Sequence, residues 1–283
     1  MCGNHRSDGS PVDHVHGRTS SHTSSPYVSG YPRSSVLGRL RRKLPRSRRA
    51  FLGQFARSSF AVAVLPPAVL AACGRTETGT IASPSGEQLT WGRTNLGFVS
   101  AYVLARGNRA TIVDTGVEGS ADAIGETLRD LGLNYSDVEN VILTHHHFDH
   151  AGSTGAVMEQ AINATIHAGE ADLSEIDYDN ISPLVGGEEI FGFEMLHTPG
   201  HTAGHMAVID HDAGLLVGGD SFWLDGDGVA FEGDEQFFSD IPASRESIRR
   251  MAELNFDTLL LAHADPLLVG ADAALADLAA RLD

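Results

Sequence analysis

From residue 88 onward, hydrophobic and polar residues alternate or gather in blocks whose lengths suit strands and helices. Residues 88–93, 98–105 and 109–113 read as strands, and the Arg106-Gly107-Asn108 turn makes a hairpin of the last two. Residues 119–131 place Ile124, Leu128 and Leu131 on one helical face. The run Val141-Ile142-Leu143 predicts a short buried strand, and Ala151-Gly152-Ser153 a helix start. Strands follow over 165–167, 191–197, 206–209, 215–218 and 256–262, with a loop over 179–188. Residues 225–240 read as an acidic, glycine-rich loop carrying Phe237-Phe238. A helix over 244–254 is expected to be capped by Ser244, and a closing amphipathic helix covers 271–282. This alternation predicts an α/β or α+β domain over residues 88–283.

The chemistry is concentrated directly behind one strand, in Thr144-His145-His146-His147-Phe148-Asp149-His150-Ala151-Gly152. Four histidines and an aspartate fall within six positions. His145 and His147, two apart in an extended segment, point to the same side and can share one ion. Asp149 and His150 follow the turn of the chain and can reach a second ion. Imidazole and carboxylate suit zinc, and also iron or manganese. Downstream, Pro199-Gly200-His201 holds a histidine in a tight loop after a strand. Asp220 ends the 215–218 strand, and His263 ends the last one. His167 and His197 lie in strand contexts and read as structural. His205 opens a strand and is either a support for the site or purely structural.

His145-x-His147-x-Asp149-His150 resembles the signature of the metallo-β-lactamase fold superfamily, and the later positions fall in that family's order across residues 88–283. The resemblance implies a four-layer αββα sandwich. It implies two divalent metal ions, zinc first with iron or manganese as alternatives. His201 would complete three imidazoles on one ion, Asp220 would bridge both, and His263 would join Asp149 and His150 on the other. Asp114, in Asp114-Thr115-Gly116, would lie beneath the site and support its ligands. The implied reaction is metal-assisted hydrolysis, with Asp149 also orienting the attacking water and carrying its proton.

Charge is divided sharply along the chain. The net −17 is the sum of +9 over residues 1–72 and −26 over residues 73–283, and Lys43 is the only lysine. So acidic a domain repels nucleic acid and anionic membranes, and an acid-rich, lysine-free surface fits a halophilic source. The two cysteines, Cys2 and Cys73, build no disulfide framework.

Residues 1–46 are rich in Ser, Arg, Gly and His and read as a disordered tail. Residues 47–73 resemble a twin-arginine signal peptide with a lipobox. Ser47-Arg48-Arg49-Ala50-Phe51-Leu52 is followed by an apolar stretch broken at Pro66-Pro67, then by Leu70-Ala71-Ala72-Cys73. That resemblance implies export by the twin-arginine route and a lipid anchor at Cys73 on the outer face of the membrane. Residues 74–87 read as a linker.

The expected partner is a small-molecule substrate, not nucleic acid, with membrane contact only through the anchor. The scarcity of basic residues near the motifs weighs against β-lactam and glutathione thioester substrates and leaves a small ester, lactone or related substrate. The rival readings are a mononuclear iron enzyme acting on persulfides and a non-catalytic metal-binding lipoprotein.

Overall fold

The computed structural model describes residues 76–282, all within the unit Val69–Asp283. The tail, the twin-arginine motif, the lipobox and Cys73 lie outside the described residues.

Seven strands pair in chain order into one sheet: β1 (Glu77–Ala82), β2 (Gln88–Asn95), β3 (Ser100–Arg106), β4 (Arg109–Val113), β5 (Val138–Leu143), β6 (Thr165–Gly169) and β7 (Ser182–Leu184). The first four meander antiparallel, and β4 to β7 run parallel. Parallel neighbours need crossovers, supplied by α1 (Ala121–Asp130) between β4 and β5 and by α2 (Phe148–Ala151) and α3 (Thr154–Gln160) between β5 and β6. A second sheet begins with β8 (Glu189–Ile190), β9 (Phe193–His197), β10 (Met206–Asp210) and β11 (Leu215–Gly219). The small hairpin β12 (Trp223–Leu224) and β13 (Ala230–Phe231) follows, then α4 (Ile241–Met251), β14 (Thr258–Leu261) and α5 (Ala271–Arg281). β14 closes the second sheet parallel to β11.

Three apolar clusters fix the layers. One joins Trp91, Tyr102 and Ile142 of the first sheet to Phe193, Met206 and Leu260 of the second, so the sheets pack face to face. Another sets Ile124, Leu128 and Val157 of α1 and α3 on the outer face of the first sheet. The third sets Ile248, Met251, Leu275 and Leu278 of α4 and α5 on the outer face of the second. The result is the expected αββα sandwich, in which each helical stripe and each sheet face finds an apolar partner.

Four local expectations are corrected. Residues 77–82 of the expected linker form β1, an edge strand with little buried side chain, so it carries no apolar signature and is held by backbone pairing to β2. The loop over 179–188 contains β7. The 225–240 loop holds β13 and a short 3-10 turn, Glu235–Phe237. The helix expected from Ser244 starts at Ile241. Asp240 caps it by accepting from the Ala243 N–H, and Pro242 sits in the first turn, where a missing N–H costs nothing.

Candidate metal centre

Parallel strands deliver their carboxyl ends to one edge, and that is where ligand sites form in such sheets. β4 ends at Asp114, β5 at Thr144-His145, β11 at Asp220 and β14 just before His263. The 198–205 loop between β9 and β10 reaches the same edge. Two ties clamp the sheets there. The Met206 N–H donates to the Thr144 carbonyl at 2.8 Å, and the Tyr102 hydroxyl donates to the Leu261 carbonyl at 2.8 Å.

Three imidazole nitrogens converge. His145 Nε2 and His147 Nδ1 are 3.0 Å apart, and His201 Nε2 stands 3.1 Å from the first and 2.9 Å from the second. Nitrogens held about 2.0–2.1 Å from a tetrahedral zinc would stand about 3.3 Å apart, so the observed spacing fits one ion to within a few tenths of an ångström. Burial holds these rings neutral, with their lone pairs available. His145 lies well below the ordinary histidine pKa, His147 is lowered, and His201 is pushed down to about 4.

A second set adjoins the first. His150 Nε2 lies 3.5 Å from Asp220 Oδ1 and 3.8 Å from Asp149 Oδ2. His263 Nε2 lies 3.2 Å from Asp220 Oδ2 and 3.5 Å from Asp149 Oδ2. Asp220 Oδ2 is also 3.5 Å from His201 Nε2, so this carboxylate faces both sets. Burial opposes charge on His150, but Asp220 and Asp114 outweigh it and raise its pKa well above the ordinary value. Burial likewise opposes the Asp220 anion, and His150 outweighs it. His150 and Asp220 thus hold each other as an ion pair, in which a metal cation would take the place of the His150 Nε2 proton. His150 Nε2 and Asp220 Oδ1 are buried with no hydrogen-bond partner among the described residues, the condition of atoms made to bind a cation. All seven sequence-selected residues, His145, His147, Asp149, His150, His201, Asp220 and His263, lie in this one cluster.

The ring orientations are set from behind. Asp114 adopts a left-handed backbone (φ 63°), which aspartate tolerates better than most residues. Its carboxylate accepts the Thr144 N–H at 2.7 Å and the His150 Nδ1–H at 2.8 Å. Asp114 thus keeps a proton on His150 Nδ1, so Nε2 is the nitrogen that faces the cluster and would offer its lone pair to a cation that displaces its proton. His263 is oriented the same way by donating Nδ1–H to the Phe98 carbonyl at 2.6 Å.

His205 resolves as a support. It donates Nδ1–H to Thr198 Oγ1 at 2.7 Å, and its Nε2 accepts the Asp220 N–H at 3.0 Å. Both nitrogens are used, and burial lowers its pKa to about 3, which keeps the acceptor unprotonated. Gly219 makes the contact possible: at φ 53° it has no Cβ, and one would stand 2.6 Å from His205 Nε2. His167 bonds Asn140 Oδ1 and His197 bonds the Ala203 carbonyl, both apart from the cluster. His146 also turns away, with Nδ1 3.1 Å from Asp172 Oδ2.

Asp172 is the residue sequence reasoning missed. It is buried in a 3-10 turn after β6. Its carboxylate accepts the His146 N–H at 3.2 Å, the Thr202 hydroxyl at 2.7 Å and the Gly204 N–H at 2.7 Å. It thereby fastens the loop of His145 and His147 to the loop of His201. Asp172→Ala is expected to lower metal affinity by about 10- to 100-fold, the scale for residues that orient ligands. Competition against a chromophoric chelator measures this, and unchanged affinity would contradict the role.

A cavity of about 800 Å³ opens onto the cluster. His147, Asp149, His201, Asp220 and His263 form its floor, and Phe98, Phe148, Trp223, Phe231, Phe237 and Phe238 contribute to its walls.

Comparison with known proteins gives the family and supports the fold. The family described as the metallo-beta-lactamase superfamily matches residues 94–263, more than half of the chain. A hydroxyacylglutathione hydrolase of Aeromonas hydrophila is 31% identical over 164 residues, covering 56% of this chain and 58% of the relative. The chain thus spans little more than half the length of that relative. The uncharacterised protein YobT of Bacillus subtilis is 28% identical over 186 residues, covering 56% of this chain and 78% of the relative. Among solved structures, the metallo-beta-lactamase SMB-1 aligns with a TM-score of 0.55 at 19% identity, over 72% of this chain and 93% of its own. A metallo-beta-lactamase family protein from Thermus thermophilus aligns with a TM-score of 0.51 at 23% identity, over 64% of this chain and 73% of its own. At these identities the two structures speak for the fold alone.

Proposed function

The chain belongs to the metallo-beta-lactamase superfamily, and on that premise we propose that it is a metal-dependent hydrolase of a small ester, lactone, thioester or related substrate. The observation that carries this reading is the pair of adjoining donor sets that share Asp220 and open into one cavity. His145, His147 and His201 would hold one divalent ion, and Asp149, His150 and His263 a second, with Asp220 between them. Zinc suits this set of imidazoles and carboxylates. When bound, the ions supply an acidified water and polarise the substrate carbonyl.

The chain's own groups do the rest. Asp149, at the cavity floor, takes the proton of the attacking water and returns it to the departing oxygen or sulfur. Asp114 and the Phe98 carbonyl hold His150 and His263 in the orientation that keeps Nε2 toward the cluster. His205 fixes the backbone of Asp220. The hydroxyacylglutathione hydrolases among the relatives are what brings thioesters into the substrate range.

The test is turnover of a panel of neutral esters, lactones and thioesters. Hydrolysis lost on chelation and restored by zinc is the expected result. Hydrolysis that survives complete metal removal, or none with metal bound, would contradict the reading.

The N-terminal segment adds a proposal about place: twin-arginine export followed by lipidation at Cys73, leaving the domain outside the cell membrane. The intact mass of protein extracted from membranes tests it. A chain beginning at an acylated Cys73 is expected, and a soluble chain retaining residues 1–72 would oppose it.

A further inference from the structure

We propose that the substrate of this site carries an uncharged, apolar acyl or aryl group, which the aromatic wall of the cavity receives. The inference rests on the hydrolase reading and narrows it.

The wall is built from three directions. Phe98, before β3, stacks on His263 with ring centroids 6.3 Å apart. Phe148 stands at the start of α2 between His147 and Asp149 and is 71% exposed. From the segment after β11, Trp223 packs against Phe231 at 6.0 Å and Phe237 at 5.5 Å, while Phe238 sets its ring against His201 at 5.4 Å. Phe237 is 50% exposed. Large apolar side chains left in water around one concavity mark a place where something apolar binds. Here the concavity has the metal-binding residues as its floor, so the occupant is the substrate itself.

The side chains of the wall weigh against a charged group at that place. No Lys or Arg lines the cavity among the described residues, and the domain contains no lysine at all. Arg245 forms a forked ion pair with Glu232, at 2.6 and 3.1 Å. Arg93 borders an adjoining cavity of about 430 Å³ beyond His263. Its guanidinium donates to Ser100 at 2.8 Å, Glu77 at 3.2 Å and Asp265 at 2.7 Å, so two carboxylates face one cation. Along the aromatic wall, away from the metal ions at the floor, a substrate carboxylate would find no cationic side chain to balance it and would meet the field of an acidic domain, whereas each methylene buried against the rings is favourable.

The test is a homologous series of nitrophenyl esters, acetyl to octanoyl, with a matched ester bearing a terminal carboxylate, assayed on the zinc-loaded protein. The value of kcat/KM is expected to rise by up to about fourfold per methylene until the cavity is filled, and the carboxylate ester to fall at least about tenfold below its neutral match, a tenfold ratio being about 1.4 kcal/mol. Phe237→Ala and, independently, Phe231→Ala should flatten the dependence on chain length with metal content unchanged. A series indifferent to length, or faster hydrolysis of the carboxylate ester, overturns this proposal and leaves the hydrolase standing. No hydrolysis of any member with zinc bound overturns this inference, and if the lactones and thioesters also fail it removes the hydrolase reading with it.

Discussion

Asp220→Ala is expected to strip metal from the site and lower kcat/KM by about a thousandfold or more, the scale of several kcal/mol of lost transition-state stabilisation. The carboxylate is buried, and its Oδ2 lies 3.5 Å from His201 Nε2 and 3.2 Å from His263 Nε2. Among the described residues no other carboxylate forms an ion pair with histidines of both sets. Its removal also takes from His263 the carboxylate that raises its pKa against burial, and leaves His150 with Asp114 alone. His147→Ala should act similarly, because His147 Nδ1 closes the three-nitrogen set. His146→Ala is the control within the same motif. Its ring faces Asp172, so metal content and turnover should stay near wild type. Metal loss in the His146 variant with retention in the His147 variant would reverse the assignment. Metal content and kcat/KM, measured on the three variants side by side, decide the matter.

The second large effect is expected for Asp149→Asn. The substitution keeps the shape and removes the base. With metal supplied in excess, kcat should fall by about 10²- to 10⁴-fold, the usual worth of a positioned proton acceptor, while KM changes little. A variant with wild-type kcat would exclude Asp149 from proton transfer. A variant whose loss is recovered by adding metal would show that Asp149 serves as a ligand only.

The cluster could be read from the chain because its residues follow the ends of buried strands, where the register of a parallel sheet leaves little choice of location. Val141-Ile142-Leu143 buries completely as part of β5 and must release His145 at the sheet edge. The same holds for Asp220 behind β11 and His263 behind β14. What stayed hidden depends on contacts between distant segments. His201 and His205 sit four apart in one loop, and only the hydrogen bonds to Thr198 and the Asp220 N–H show that both nitrogens of His205 are already used. Asp172 gave no local signal: an acidic residue in a short turn resembles any solvated carboxylate until the loops it joins fold over it. The start of α4 was legible and misread, since Asp240-Ile241-Pro242 is itself a helix-start pattern and Ser244 lies one turn inside it. β1 offered nothing to read, since an exposed edge strand has almost no apolar face.

Elemental analysis of the purified protein tests most directly whether the two adjoining donor sets hold two ions. The account predicts about two zinc ions per chain, with catalytic activity following their removal and return. About one iron per chain, with no second ion taken up when zinc is supplied, would contradict it and point instead to oxidation chemistry at the three-histidine set.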